Sequence, residues 1–260
     1  MIELMALLSL LFTQTESTLL SKELIASCGG EERLKRLKCV QRDDRVFESL
    51  GSDPVEPFRE TIRFRPPLCG AWRRTTSLPF AETPEVTLRS ACDAKLYYSG
   101  GVANEAGRSM LERIGVEKRD TLIDLSILLL RPFLEKEGWK VEAAGKRRFK
   151  DVECETLSIQ LEPYDSVRRV YVQTGPPLIL GIRRTRRDAV TWEPEEVEIG
   201  FAEYRRVEGC MLPFLIQEHC GKTRSKRVVD KWSVVTPPEG PCLTEQETRG
   251  AIRIPDTSTK

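Results

Sequence analysis

The sequence contains one histidine, His219, in 260 residues. A serine hydrolase needs a base beside its nucleophile, and His219 lies in an alternating, strand-like stretch with no G-x-S-x-G motif. No pair of the eight cysteines has C-x-x-C spacing, so with a single histidine no Cys/His zinc pattern exists. Net charge is lacking too: 41 Lys and Arg against 40 Asp and Glu leave +1, which gives no electrostatic case for nucleic acid or an anionic membrane. Aromatic residues make up 7% and are scattered singly, so no platform for stacking bases is present. No glycine-rich loop stands between a strand and a helix to cradle a phosphate. The apolar run Met1 to Phe12 is too short to span a bilayer as a mature helix.

These absences leave little catalytic chemistry, and no cofactor is implied. Paired carboxylates remain available because acids are common, but Glu193, Glu195, Glu196 and Glu198 read as a solvated strand face. The sequence argues for binding rather than catalysis. The apolar fraction of 40% suffices for a core, and the charged fraction of 31% for solubility. Arginine occurs in pairs, among them Arg73-Arg74, Arg168-Arg169, Arg183-Arg184 and Arg205-Arg206. In a strand such a pair puts one side chain on each face. Some of these arginines must then line a rim, a cavity or a paired site, unless the surface neutralises itself. The even cysteine count permits disulfides in an exported protein, and buried free thiols serve equally well as the reading.

Met1 to Phe12 has the character of a secretion-signal core, although Glu3 stands where a basic residue is usual and no clean cleavage motif follows. Residues 1–20 are expected to be a signal or disordered segment of an exported, periplasmic protein. Ile25-Ala-Ser-Cys28 matches the bare pattern of a lipoprotein cleavage box, but Lys22 and Glu23 separate it from the apolar run. The better reading is a helix over 21–27 stopped by Gly29-Gly30, then a second helix with Glu31-Glu32 in its first turn. From Cys39 the apolar period becomes two. Strands are predicted at 39–49, 57–65, 69–77, 85–91 and 94–99, with Gly and Pro turns between them. Residues 104–137 break this pattern. Met110, Leu111 and Ile114 predict one short helix, and Leu122 to Leu130 a longer one that is apolar nearly all round. Such a helix must be covered on several sides or must itself cover something apolar. From 139 to 235 the period is two again, over seven strands with antiparallel neighbours. A single domain over 21–245 and a disordered tail over 246–260 complete the expected organisation.

The stretch Glu60 to Trp72 organises this pattern. Phe58, Ile62 and Phe64 point to one face, Arg59, Arg63 and Arg65 to the other, and Pro66-Pro67 ends the strand. A sheet of about eleven strands curled around an apolar helix is wide enough to hold a ligand rather than only side chains. The helix can equally fill that space as core.

Four motifs resemble a known family. They are Leu24 to Leu37 (LIASCGGEERLKRL), Ile62-Arg-Phe-Arg-Pro66 followed by Trp72, Asp93-Ala-Lys-Leu-Tyr-Tyr98, and Tyr204-Arg-Arg-Val-Glu-Gly209 followed by Leu212-Pro213-Phe214. In this order they are similar to the LolA-like periplasmic lipoprotein-carrier superfamily, in its outer-membrane lipoprotein-sorting branch, over about 22–240. Departures are Ala94 where that family has glycine, and the eight cysteines. The resemblance implies a mainly β fold with α, a half-open antiparallel β-barrel of about eleven strands closed by a helical lid. It implies a monomeric, non-enzymatic carrier or sensor whose ligand is the acyl chain of a lipoprotein or another lipid. The alternative is a filled barrel that docks an envelope protein. Phe58, Ile62, Phe64, Trp72, Leu96 and Tyr98 would line the sheet wall, and Leu122, Leu125, Leu129 and Phe133 the lid. Arg65 matches the family arginine that ties sheet to lid.

Overall fold

The computed structural model describes residues 18–55, 57–77, 85–100, 105–135, 137–164, 166–187, 193–237 and 242–254. The proposed signal run at Met1 to Phe12 and the residues after 254 lie outside them. Helix α1 occupies 18–27 and α2 Glu31–Arg36, joined through Gly29 and Gly30, both at positive φ. Then come β1 (Val40–Leu50), β2 (Asp53–Pro54), β3 (Phe58–Arg65), β4 (Cys69–Ser77), β5 (Glu85–Asp93) and β6 (Leu96–Ser99). Helices α3 (Glu105–Leu128) and α4 (Arg131–Leu134) follow. The second run of strands is β7 (Trp139–Phe149), β8 (Val152–Leu161), β9 (Arg168–Gln173), β10 (Leu178–Arg187), β11 (Pro194–Val207), β12 (Cys210–Cys220) and β13 (Thr223–Val234). Helix α5 (Glu245–Arg249) and β14 (Ile252–Arg253) end the described chain.

All strands form one antiparallel sheet in the order β14-β6-β5-β4-β3-β1-β13-β12-β11-β10-β9-β8-β7, with β2 as a spur on β1. Each run of strands is a meander, and β1 joins the two by pairing with β13. The sheet stays open: among the described residues β7 and β14 remain the outer strands, and no pairing links them. The sheet has fourteen strands rather than about eleven; β2 and β14, of two residues each, are too short for a period-two reading to resolve. Alternation sets its two faces. Along β3, Phe58, Glu60, Ile62 and Phe64 are buried, while Arg59 and Arg63 are exposed.

Residues 105–128 make one 24-residue helix rather than two. Gly115 does not break it, because it is where the helix meets the sheet: a Cβ there would lie 2.9 Å from the Tyr97 Cβ. The helix ends at Leu130, which is left-handed (φ 57), and Pro132 opens α4. In chain order α3 and α4 connect β6 to β7, the two sides of the open sheet. The expected tail from 246 instead carries most of α5, held by a Thr244/Glu247 capping box, and β14, which pairs with β6.

The main core includes α1, α2, the second half of α3 and the inner sheet face. A small second cluster of Phe149, Cys154 and Tyr171 sits outside it, where the β7–β8 hairpin folds onto the outer face. Cys69 and Cys242 form a disulfide that ties the start of β4 to the chain just before α5. The other six cysteines are buried thiols. No helix among the described residues is long and apolar enough to cross a membrane.

Candidate functional site

The inner sheet face and α3 form a trough and its occupant. The helix carries two chemistries. Its second half buries Leu122, Ile123, Leu125, Ile127 and Leu128, and the chain continues with buried Leu129 and Leu130. Ile62, Phe64 and Trp72 belong to the same core. Gly70 makes the close approach possible, since a Cβ at that position would lie 2.5 Å from the Leu122 Cδ2. Leu24, Leu34 and Leu37 from the α1–α2 region complete this core. Arg131 in α4 fixes the arrangement by donating to the Leu37 carbonyl at 2.6 Å, where α2 has ended.

The same half of α3 also meets the sheet through charge. Asp120 and Asp124, one turn apart, face Arg168 and Arg184. Arg168 donates to Asp120 at 2.6 Å and to Asp124 at 3.2 Å, and Arg184 donates to Asp124 at 2.8 Å. Burial would lower the Arg184 pKa, but Asp124 and then Asp120 outweigh it and push it up. A second cluster centres on Glu60, with Arg227 at 2.5 Å, Arg74 at 3.6 Å and Lys118 of α3 at 3.7 Å. Arg42 and Asp44 pair beside it at 2.8 Å. Ser126 donates to the Pro67 carbonyl at 2.8 Å, so the Pro66-Pro67 turn also holds the helix. A cavity of about 100 Å³ remains between these groups, lined by Arg42, Glu60, Trp72, Lys118, Arg184 and Arg227 among others.

Burial alone would raise the Glu60 carboxyl, but Lys118, Arg227, Arg74 and Arg42 outweigh it and hold it down at about 2. Burial wins at Asp44, which is pushed up despite Arg42 and Arg227, and at Lys118, which is pushed down despite Glu60. A carboxyl depressed from 4.5 to about 2 contributes stability above pH 4.5 and loses it as pH falls through that window. Glu60→Gln is therefore expected to be less stable than the parent at neutral pH, with the difference shrinking between pH 4.5 and 2. Urea unfolding at several pH values checks this; a constant difference across the window would refute it.

The anticipated wall residues fall into two groups. Phe58, Ile62, Phe64 and Trp72 are buried on the inner face, and Leu122, Leu125, Leu129 and Phe133 are buried in or just beyond α3. The other three lie elsewhere. Cys92 pairs with both Gly70 and Tyr97, so Tyr97 takes the inner position in β6. Leu96 and Tyr98, one residue to either side, face outward. Arg65 shares the outer face with Arg59 and Arg63 and pairs with Cys69. It therefore stands on the far side of the sheet from α3, and the tie between sheet and helix is made by Arg168 and Arg184 instead. These two arginines, with Asp120 and Asp124, were not singled out from sequence. The signal was the arginine pair in a strand: Arg168 and Arg184 point inward while Arg169 and Arg183 point outward.

Among the described residues no three His, Cys, Asp or Glu side chains converge as a metal site requires. His219 is exposed, with its Nε2 3.1 Å from the Gly221 carbonyl.

No family model matches the sequence, and no curated protein matches it. Solved structures do. A LolA superfamily protein from Nitrosomonas europaea superimposes with a TM-score of 0.50 at 8% identity, covering 80% of this chain and 94% of its own. The chain has the LolA-like fold. A putative outer membrane lipoprotein-sorting protein domain from Vibrio parahaemolyticus covers 80% of this chain and 91% of its own, at 10% identity and a TM-score of 0.48. The stretch Tyr204 to Phe214 quoted above contains the β11–β12 turn. Glu208 and Gly209, both at positive φ, form its two-residue loop, and the Tyr204 hydroxyl donates to the Ile179 carbonyl.

Proposed function

We propose that the protein is a non-enzymatic, monomeric carrier or sensor in the cell envelope that takes an acyl chain, of a lipoprotein or another lipid, into the trough now filled by α3. The observation that carries this reading is the apolar half of α3, buried across the inner face of an open LolA-like sheet. Among the described residues the cavity left beside α3 is too small for such a chain. A water occupies about 30 Å³ of liquid volume, so the remaining cavity of about 100 Å³ has room for a few waters only. Ligand entry therefore requires α3 to shift. An acyl chain gains about 0.8 kcal/mol for each CH₂ buried, so a long chain supplies a free energy that can compete with the helix for Ile62, Phe64, Trp72 and Phe58. Leu122, Leu125, Leu129 and Phe133 are then the moving wall.

A second reading has its own support. The remaining cavity is small and lined largely by charge, as expected of a permanently filled trough in a protein-docking module. Fluorescence of the lipophilic probe N-phenyl-1-naphthylamine separates the two. The carrier reading expects saturable probe binding, displacement by palmitate, and stronger binding after Arg184→Met loosens α3. No probe binding by either the parent or the Arg184→Met protein would leave only the filled module.

A further inference from the structure

The outer face of the sheet carries a trough of about 510 Å³ on the side opposite α3. Two cross-strand rows build it. One runs Phe47, Lys226, Gln217, Gly200 and the other Ser49, Arg224, His219, Glu198, each residue paired with the next. The depth has a local cause. Gly200 offers no side chain to the floor, and the β7–β8 hairpin tip folds over from the side. Phe149 packs on Gly181, and Lys150 reaches across to donate to the Gln217 Oε1 at 3.2 Å. Lys150, Arg224 and Lys226 are exposed around the trough. Its outward acid, Glu198, is already paired with Arg183 at 2.7 Å. By strand alternation Glu48 and Glu218 point to the inner face. The trough thus has an excess of positive charge in a chain with a formal net charge of only +1. Phe47 stands at one end, 41% exposed.

We infer that this outer trough is a docking site for an acidic, extended segment of a partner protein, with carboxylates against Lys150, Arg224 and Lys226 and an apolar residue against Phe47. Charge complementarity selects the acidic partner. The recessed floor at Gly200 selects a strand-like segment, because a flat membrane surface cannot reach it. The size suits a bound peptide segment, falling within the roughly 300–1,000 Å³ common for ligand clefts. The site lies behind the sheet and does not depend on what fills the inner trough.

The test uses fluorescence anisotropy with the full chain and a labelled eight-residue peptide of six glutamates and two leucines. Saturable binding is expected, weakened by added salt and weakened at least tenfold in Lys226→Glu/Arg224→Glu. Gly200→Leu, which fills the floor without changing charge, is expected to weaken it as well. Thermal melts establish that each variant is folded, and both charge changes lie at exposed positions. The inference is overturned if the peptide does not bind at millimolar concentration, or if the double variant binds it as the parent does. It is also overturned if phosphatidylglycerol vesicles bind with the same dependence on Lys226 and Arg224 while the peptide does not.

Discussion

Arg168→Met is expected to destabilise the protein by about 3–5 kcal/mol, the usual cost of removing one member of a buried ion pair. The Arg168 side chain is fully buried and donates to Asp120, Asp124 and the Ser166 carbonyl. Methionine fills similar space but leaves two carboxylates in the core with Arg184 as their remaining arginine. The loss is electrostatic rather than steric, and that makes it separable. Replacing Asp120, Asp124, Arg168 and Arg184 together by apolar residues of similar volume is expected to recover most of the stability, because the desolvation cost of all four charges disappears with their attraction. Urea unfolding measures both changes. Hydrogen exchange supplies the local reading: in Arg168→Met the amides of α3 should lose protection before those of β11 and β12. If α3 stays as protected as the central strands, this cluster does not hold the helix in its trough.

Cys242→Ser carries the other large effect. The Cys69–Cys242 bond closes a segment with a sequence separation of 173, so it restricts most of the unfolded chain. Its loss is expected to cost about 2–4 kcal/mol, or a fall in Tm of about 5–15 °C for a chain of this size. Dithiothreitol should lower the parent to the Tm of the variant and leave the variant unmoved, because the remaining described cysteines other than Cys69 are free thiols. A variant that still responds to reductant would show that a second disulfide forms. The bond has a positional role as well. It anchors the segment before α5, and so supports β14 beside β6 at one side of the sheet.

Much of the fold was legible because the inner face is regular. In β3 the alternation of Phe58, Ile62 and Phe64 with Arg59, Arg63 and Arg65 sets both faces without reference to any partner strand. The β11–β12 turn was legible because Gly209 supplies the positive φ that a tight hairpin needs. Leu96 and Tyr98 were misplaced for the opposite reason. β6 has four residues, all aromatic, aliphatic or small, so its sequence suits either register, and only the pairing of Tyr97 with Cys92 decides it.

The sequence by itself determined that the chain is mainly β, that residues 104–137 interrupt the sheet with helix, apolar nearly all round from Leu122 to Leu130, and that no zinc pattern or recognisable hydrolase triad is present. These follow from short-range periodicity and residue chemistry, which need no knowledge of distant neighbours. Tertiary structure alone decided that α3 fills the trough, that Arg168 and Arg184 reach Asp120 and Asp124 across 44 to 60 positions, and that Arg65 stands on the outer face. It also decided which two cysteines pair. The physical reason is common to all of these: an ion pair, a disulfide or a filled groove depends on which strands lie side by side. Alternation fixes a residue's face, but only the assembled sheet fixes what stands opposite it.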